Sequence, residues 1–301
     1  MRWAGILREL GHGVHVTGSW DGRACDLLIA LHAQRSSDSV HAFRRRFPER
    51  PLVIALTGTD LYRDLPRSRR TVRSMEEADR LITLHALAYR RVPARLRSKI
   101  RLIYQSVRSS ASASRPRLAF DVCVMCHMRP LKDPFRAALA SRLLHEDSRI
   151  RVLHVGRALS PAMETRARRE ESRNPRYRWV GELPRWKALR VLAGCSLMVV
   201  SSRMEGGANV VGEAIAASVP VLASRIPGNV GLLGKDYPGY YRLGDTRGLA
   251  RLLRRAETDP VFMRRLETHS RRRRPLLSPV REKRAWRRLL EELAQEASTS
   301  R

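Results

Sequence analysis

Short β-prone runs alternate with stretches of helical spacing along the whole chain, and this rhythm restricts the fold more than anything else in the sequence. DLLIALH (26–32), PLVIALTG (51–58), RLITLH (80–85) and IRLIYQS (100–106) read as strands, with the helical SVHAFRRRF between the first two. Further strands are expected near 118–126, 150–155, 177–180, 196–201 and 220–224. Helices are expected between them, near 134–145, 161–173, 185–194, 208–218 and 246–257. Strands that alternate with helices of this length join in parallel through right-handed crossovers. VRSSASASRPR (107–117) has no periodicity and reads as a linker. The expectation is therefore α/β, with two facing Rossmann-like domains and a cleft between them. Residues 1–117 form the first domain with the linker at its end, 118–275 the second, and 276–301 a C-terminal helix, REKRAWRRLLEELAQEA, after a proline-containing break. RWAGILREL reads as an amphipathic helix, with GHGVHV starting the next strand. A βαβ unit that opens on its helix lacks its first strand, so an in-frame β-prone run followed by a glycine-containing loop is expected upstream of Met1.

Charge sets the class of partner. The chain has 59 basic and 29 acidic residues, a net charge of +30, and all but five of the basic residues are arginine. Such a field draws nucleotides, phosphates, nucleic acid or an acidic membrane face. No RNA-recognition signature, zinc finger or aromatic-interleaved basic strip appears, so no specific nucleic-acid partner is expected, although a basic nucleic-acid-binding protein remains an alternative. No apolar run is long enough to span a bilayer, and the N-terminal stretch has no secretory pattern, so a cytoplasmic location is expected. Oligomeric state is not legible.

One motif invites a different chemistry. Cys123-Val124-Met125-Cys126-His127 has the C-x-x-C-H spacing of covalent haem attachment. On a strand, however, positions three apart point to opposite faces, so the two cysteines cannot both meet one ligand. The bland reading, small core residues at the end of a buried strand, is preferred. No cofactor and no metal are expected.

The stretch SSRMEGGANVVGEAIAASVPVLAS (201–224) carries the chemistry. A strand ends at Ser201 and Ser202, a two-glycine loop follows, and then an apolar-periodic helix. Gly206 and Gly207 allow a sharp turn and a close approach to a ligand. The helix start at Ala208 or Asn209 offers free N–H groups and a partial positive charge to a phosphate. Glu213 lies about 8 Å along the axis, the reach from a β-phosphate back to a ribose, whose hydroxyls its carboxylate suits. Glu205 faces whatever the phosphate carries. The alternative is a plain turn with two solvated glutamates.

Glu205 and Glu213 reproduce the E-x7-E motif of retaining-type GT-B glycosyltransferases of family 4, which this chain resembles. CDLLIALHAQRS, LTGTDLYRD, IYQS, RPLKDPFR, RMEGGANVV and SRIPGNVGLLGKDYPGYY together resemble, over nearly the whole chain, the selenosugar synthases of selenoneine biosynthesis. The resemblance implies a GT-B fold and transfer of a glycosyl group from UDP-N-acetylglucosamine or UDP-glucose to selenophosphate. A C–Se bond forms, and a 1-selenosugar results. A family 4 transferase with a lipid or saccharide acceptor is the alternative within the fold. In the family's G-R-x-x-x-x-K pattern Cys126 takes the Gly slot, His127 the Arg slot and Lys132 the Lys slot. Arg129 and Lys132 then hold the diphosphate, with Gly206, Gly207, Ala208 and Asn209. His32 matches the histidine beside the donor sugar. The resemblance makes His32, Arg129, Lys132 and Glu205 the catalytic set. Thr57, Gly58 and Thr59, with Arg35 and Ser36, fall on the acceptor side. The absence of D-x-D fits a family that needs no metal for the diphosphate.

Overall fold

The computed structural model describes residues 1–65, 67–108 and 119–299. They fall into two compact units, 1–106 with 278–301, and 107–277. The linker expected over 107–117 lies, from 109 onward, outside the described residues.

The first unit opens with α1 (Arg2–Glu9), followed by β1 (Leu28–Leu31), α2 (Ser37–Arg46), β2 (Leu52–Leu56), α3 (Arg69–Glu77), β3 (Arg80–Thr83) and β4 (Ile100–Leu102). The four strands pair in parallel in the order β1-β2-β3-β4. Every residue of β2 is fully buried, so it carries a continuous apolar run rather than an alternation, as a strand covered on both faces must. Leu52, Ile54 and Leu56 face Val40 and Phe43 of α2 and Met75 of α3. Val53 and Ala55 face Leu7 of α1 together with Trp286, Leu289 and Leu293. Those last three belong to α11 (Pro279–Thr299), which returns to this unit and covers the second face of its sheet. Fully burying three side chains of this size stabilises by about 1.5–3 kcal/mol each. Trp3 of α1 meets Trp286 edge-on at 4.9 Å.

The strand expected to start at GHGVHV does not form. Gly11 adopts φ +93 and ends α1, and 11–16 run irregularly along the surface, where Val16 is 52% exposed. Two glycines and a single packed side chain, Val14, supply too little apolar contact to hold a strand there.

The second unit contains β5 (Phe120–Met125), α4 (Arg136–Ser141), β6 (Ile150–Val155), α5 (Pro161–Arg173), β7 (Tyr177–Gly181), α6 (Arg185–Gly194), β8 (Leu197–Val200) and α7 (Asn209–Ala216). After these come β9 (Val221–Ser224), α8 (Pro227–Leu233), β10 (Tyr240–Tyr241), α9 (Thr246–Thr258) and α10 (Pro260–Arg273). Its six strands pair in parallel in the order β10-β9-β8-β5-β6-β7. The order therefore reverses between β5 and β8. In an open parallel sheet, that reversal opens a crevice at the carboxyl ends of the two strands. Side-chain caps mark the starts of α5, α9 and α10: the Ser160 hydroxyl accepts from the Met163 N–H, and the Asp245 and Asp259 carboxylates accept from those of Gly248 and Phe262.

Candidate active site

Two loops meet at the reversal point. The loop after β5 turns through Arg129, Pro130 and Lys132 to Asp133, which is left-handed at φ +45. It is tied to the loop after β8 by the Arg203 N–H on Leu131 O (2.9 Å) and by the Ser201 hydroxyl on Asp133 O (2.8 Å). The Lys132 ammonium thereby reaches Glu205 Oε1 at 2.5 Å, with 17% and 10% of the two side chains exposed. The Ser202 hydroxyl donates to the same oxygen at 2.6 Å. Beneath it, the Ser224 hydroxyl donates to Ser202 O, and Asn229 donates to Ser224. A Cβ at Gly228 would come within 2.3 Å of Glu205 O, so the start of α8 lies directly against the glutamate's backbone.

Gly206, Gly207 and Ala208 lead into α7, whose first turn has no side-chain cap and begins at exposed Asn209. The Val211 and Gly212 N–H groups turn back to Ala208 O (2.8 and 3.4 Å), and those of Asn209 and Val210 are left for an anion. Glu213, the fifth residue of the helix, is buried, and its Oε1 meets the Arg185 guanidinium of α6 at 2.6 Å. The structure thus joins Lys132 to Glu205 and sets the α7 N-terminus beside them, while Arg129 stays exposed. His127 is also exposed, and its Nδ1 accepts from the Arg157 N–H.

The two cysteines of the C-x-x-C-H motif point to different neighbours. Cys123 is fully buried; its contact with Cys195, and then burial, hold its thiol well above the usual range. Cys126 sits 3.8 Å from His154, and burial pushes its thiol up to about 12. Burial holds His154 neutral down to about 4. Its Nε2 donates to Cys126 O at 3.1 Å, so its Nδ1 accepts from the Tyr177 hydroxyl at 2.9 Å. A Cβ at Gly156 would lie 2.0 Å from Cys126 O, so the loop after β6 is what constrains the backbone here. Among the described residues no group of three or more His, Cys, Asp or Glu is placed to hold a metal ion. Likewise, no described helix is long and apolar enough to cross a membrane.

In the first unit, His32 follows β1 in a left-handed conformation, φ +76, and is buried. Its Nδ1 accepts from the Arg35 N–H at 3.3 Å, so the ring proton sits on Nε2, which donates to Thr59 Oγ1 at 2.6 Å. Thr57 is exposed, Gly58 is buried at φ +123, Arg35 is exposed, and the Ser36 hydroxyl donates to Leu31 O. Sequence reasoning overlooked Ser202, Arg185 and Gly228. Their only signals were a second serine at a strand end, a basic residue at a helix start, and a Pro-Gly pair.

Residues 130–259 match the family model described as glycosyl transferases group 1. Among solved structures, the chain is similar to Anabaena Alr3699/HepE in complex with UDP and glucose, with TM-score 0.70, 17% identity, and coverage of 90% of this chain and 78% of that one. It is also similar to sucrose-phosphate synthase from Thermosynechococcus elongatus, with TM-score 0.74, 18% identity, and coverage of 90% and 74%. A third, an α,α-trehalose 6-phosphate synthase from Burkholderia multivorans, has TM-score 0.74, 14% identity, and coverage of 92% and 72%. At these identities the likeness is one of fold. The chain has the GT-B fold, and its residues 130–259 are similar to the glycosyl transferases of group 1.

Proposed function

We propose that the protein transfers a glycosyl group from a UDP-sugar, and that its acceptor is selenophosphate. The observation that carries the donor half is the Lys132–Glu205 pair at the reversal of strand order, beside the uncapped start of α7. A diphosphate entering there meets an ammonium and a helix N-terminus together. Lys132 exchanges Glu205 for phosphate oxygens and releases the carboxylate toward the sugar. Glu213 takes the ribose hydroxyls, and Arg185, 70% exposed, swings aside at little cost. Arg129, in its exposed place, adds a second cation.

As the bond from the anomeric carbon to the diphosphate breaks, its electron pair goes to UDP. Lys132 and the α7 N–H groups stabilise that growing charge. The selenium of selenophosphate supplies the electron pair of the new C–Se bond. Water then takes the phosphoryl group from selenium, which leaves phosphate and the 1-selenosugar. In support of this acceptor stand the stretches RMEGGANVV, GNVGLLG and DYPGYY, which resemble the selenosugar synthases, and the cationic character of the chain. Thr57, Gly58 and Thr59 line the acceptor side, with Arg35 and Ser36 offered to the anion, and His32 takes the catalytic place that the resemblance gives it.

The test is an incubation with UDP-N-acetylglucosamine or UDP-glucose, with and without selenophosphate, following UDP and selenium-containing products. UDP release that depends on selenophosphate, with a C–Se product, is expected. Turnover only with a lipid or saccharide acceptor would overturn the acceptor, and absence of UDP binding would overturn the donor.

A further inference from the structure

The first unit holds a carboxylate that none of the site readings above uses. Asp60 is 1% exposed. Its Oδ2 accepts from the N–H groups of Ala33 (3.2 Å) and Thr57 (3.0 Å), and its Oδ1 from those of Gly58 (2.7 Å) and Leu61 (3.1 Å). Backbone N–H groups aimed at one carboxylate draw the loops that carry them together. One of these donors comes from the loop after β1 and the other three from the loop after β2.

What the two loops carry gives this arrangement its meaning. His32 is held with φ +76, a conformation that a residue with a Cβ keeps only when its surroundings impose it. Its own N–H is fixed on Ala55 O at 2.9 Å, and the next N–H along the chain, that of Ala33, is the one on Asp60. The ring is fixed at Nδ1 by the Arg35 N–H and at Nε2 by Thr59 Oγ1, with Asp64 Oδ2 3.7 Å from Nε2. Thr59 belongs to the loop whose Thr57 and Gly58 N–H groups lie on the same Asp60 carboxylate. A single side chain therefore sets both ends of the His32–Thr59 hydrogen bond.

We propose that Asp60 is the positioning residue for His32: it fixes the histidine's backbone through Ala33 and its ring partner through the Thr57–Thr59 loop, holding the imidazole with its proton on Nε2. This rests on the reading of His32 as a residue of the transfer site.

Asp60→Asn turns an amide NH2 toward at least one pair of N–H donors that had faced an oxygen. Asp60→Glu keeps the charge but moves it by one methylene. Misplacement on that scale costs about 100-fold in turnover. For either variant that folds, kcat for glycosyl transfer should fall by about that factor, while the UDP dissociation constant, set in the second unit, stays unchanged. Nitrogen-15 NMR of the histidine rings should show His32 as the Nε2–H tautomer in the wild type and a mixture of tautomers in the variant. If the wild type turns over no UDP-sugar, the proposed function fails, and the ring spectrum still decides the role of Asp60. A folded Asp60→Glu or Asp60→Asn protein with the wild-type His32 tautomer and unchanged kcat would overturn the proposal. So would a wild-type His32 ring protonated on Nδ1 alone.

Discussion

Glu205 receives two donors on one oxygen, Lys132 and Ser202, and is pressed from below by Gly228. The site is therefore sensitive at a residue with no side chain. Gly228→Ala has no room for its Cβ, so the loop must shift and carry Glu205 with it. A folded Gly228→Ala protein should lose at least tenfold in glycosyl transfer, with its UDP affinity changed far less. Equal losses in kcat and UDP binding, from steady-state kinetics and calorimetry, would contradict this division. Glu213→Ala should act the other way round. As the proposed partner of the ribose, Glu213 supplies a charge-assisted hydrogen bond worth about 1.5–3 kcal/mol, and UDP titration should show its loss. Undiminished UDP affinity in a folded variant would rule Glu213 out as the ribose partner.

Among the elements, β6 and β7 carry a pH dependence. His154 on β6 is pinned neutral between Tyr177 and Cys126 O, with burial holding its pKa near 4 against an ordinary 6.5. A folded-state value below the unfolded one means that the unfolded chain binds the extra proton first. Stability is therefore complete above about pH 6.5 and falls as the pH drops toward 4. His154→Gln should flatten urea-derived stability against pH across that window, and an unaltered slope would show that the penalty lies elsewhere, as at His85, also held near 4 by burial.

The same elements explain what could be read in advance. β2, β8 and β9 were legible as apolar runs of strand length, and β6 and β7 as short stretches rich in β-branched and aromatic residues interrupted by arginine. α5 and α6 were legible as stretches of helix-forming residues of helix length between those strands, α5 behind the Ser160-Pro161 start. α8 was missed because PGNVGLL holds two glycines and only seven residues. α10 was missed because its arginines obscured the Asp259-Pro260 start, though that pair is a sound N-terminal signal. At the site, Glu205, Glu213 and Lys132 stood out as motif residues. Arg185 and Asp60 did not, because what matters in them is a partner distant in sequence, an ion pair with Glu213 in one case and the Ala33 N–H in the other.

At the scale of the molecule, the first unit is discontinuous in sequence: α11 follows the whole second unit and then closes the first sheet. Trp286→Ala, emptying a fully buried position, should cost about 3–5 kcal/mol, seen as a fall in the urea midpoint of the first unit's transition. Retention of the wild-type midpoint would mean that α11 contributes little to that core. The arrangement also bears on synthesis. The ribosome makes β1 to β4 early, yet the apolar face formed by Val53, Ala55 and Ile82 has no α11 to cover it until some 170 more residues have been added. The second unit, continuous from 107 to 277, can complete itself first. Vectorial folding is thus inverted, and an apolar sheet face left uncovered during this interval is the kind of surface on which nascent chains aggregate.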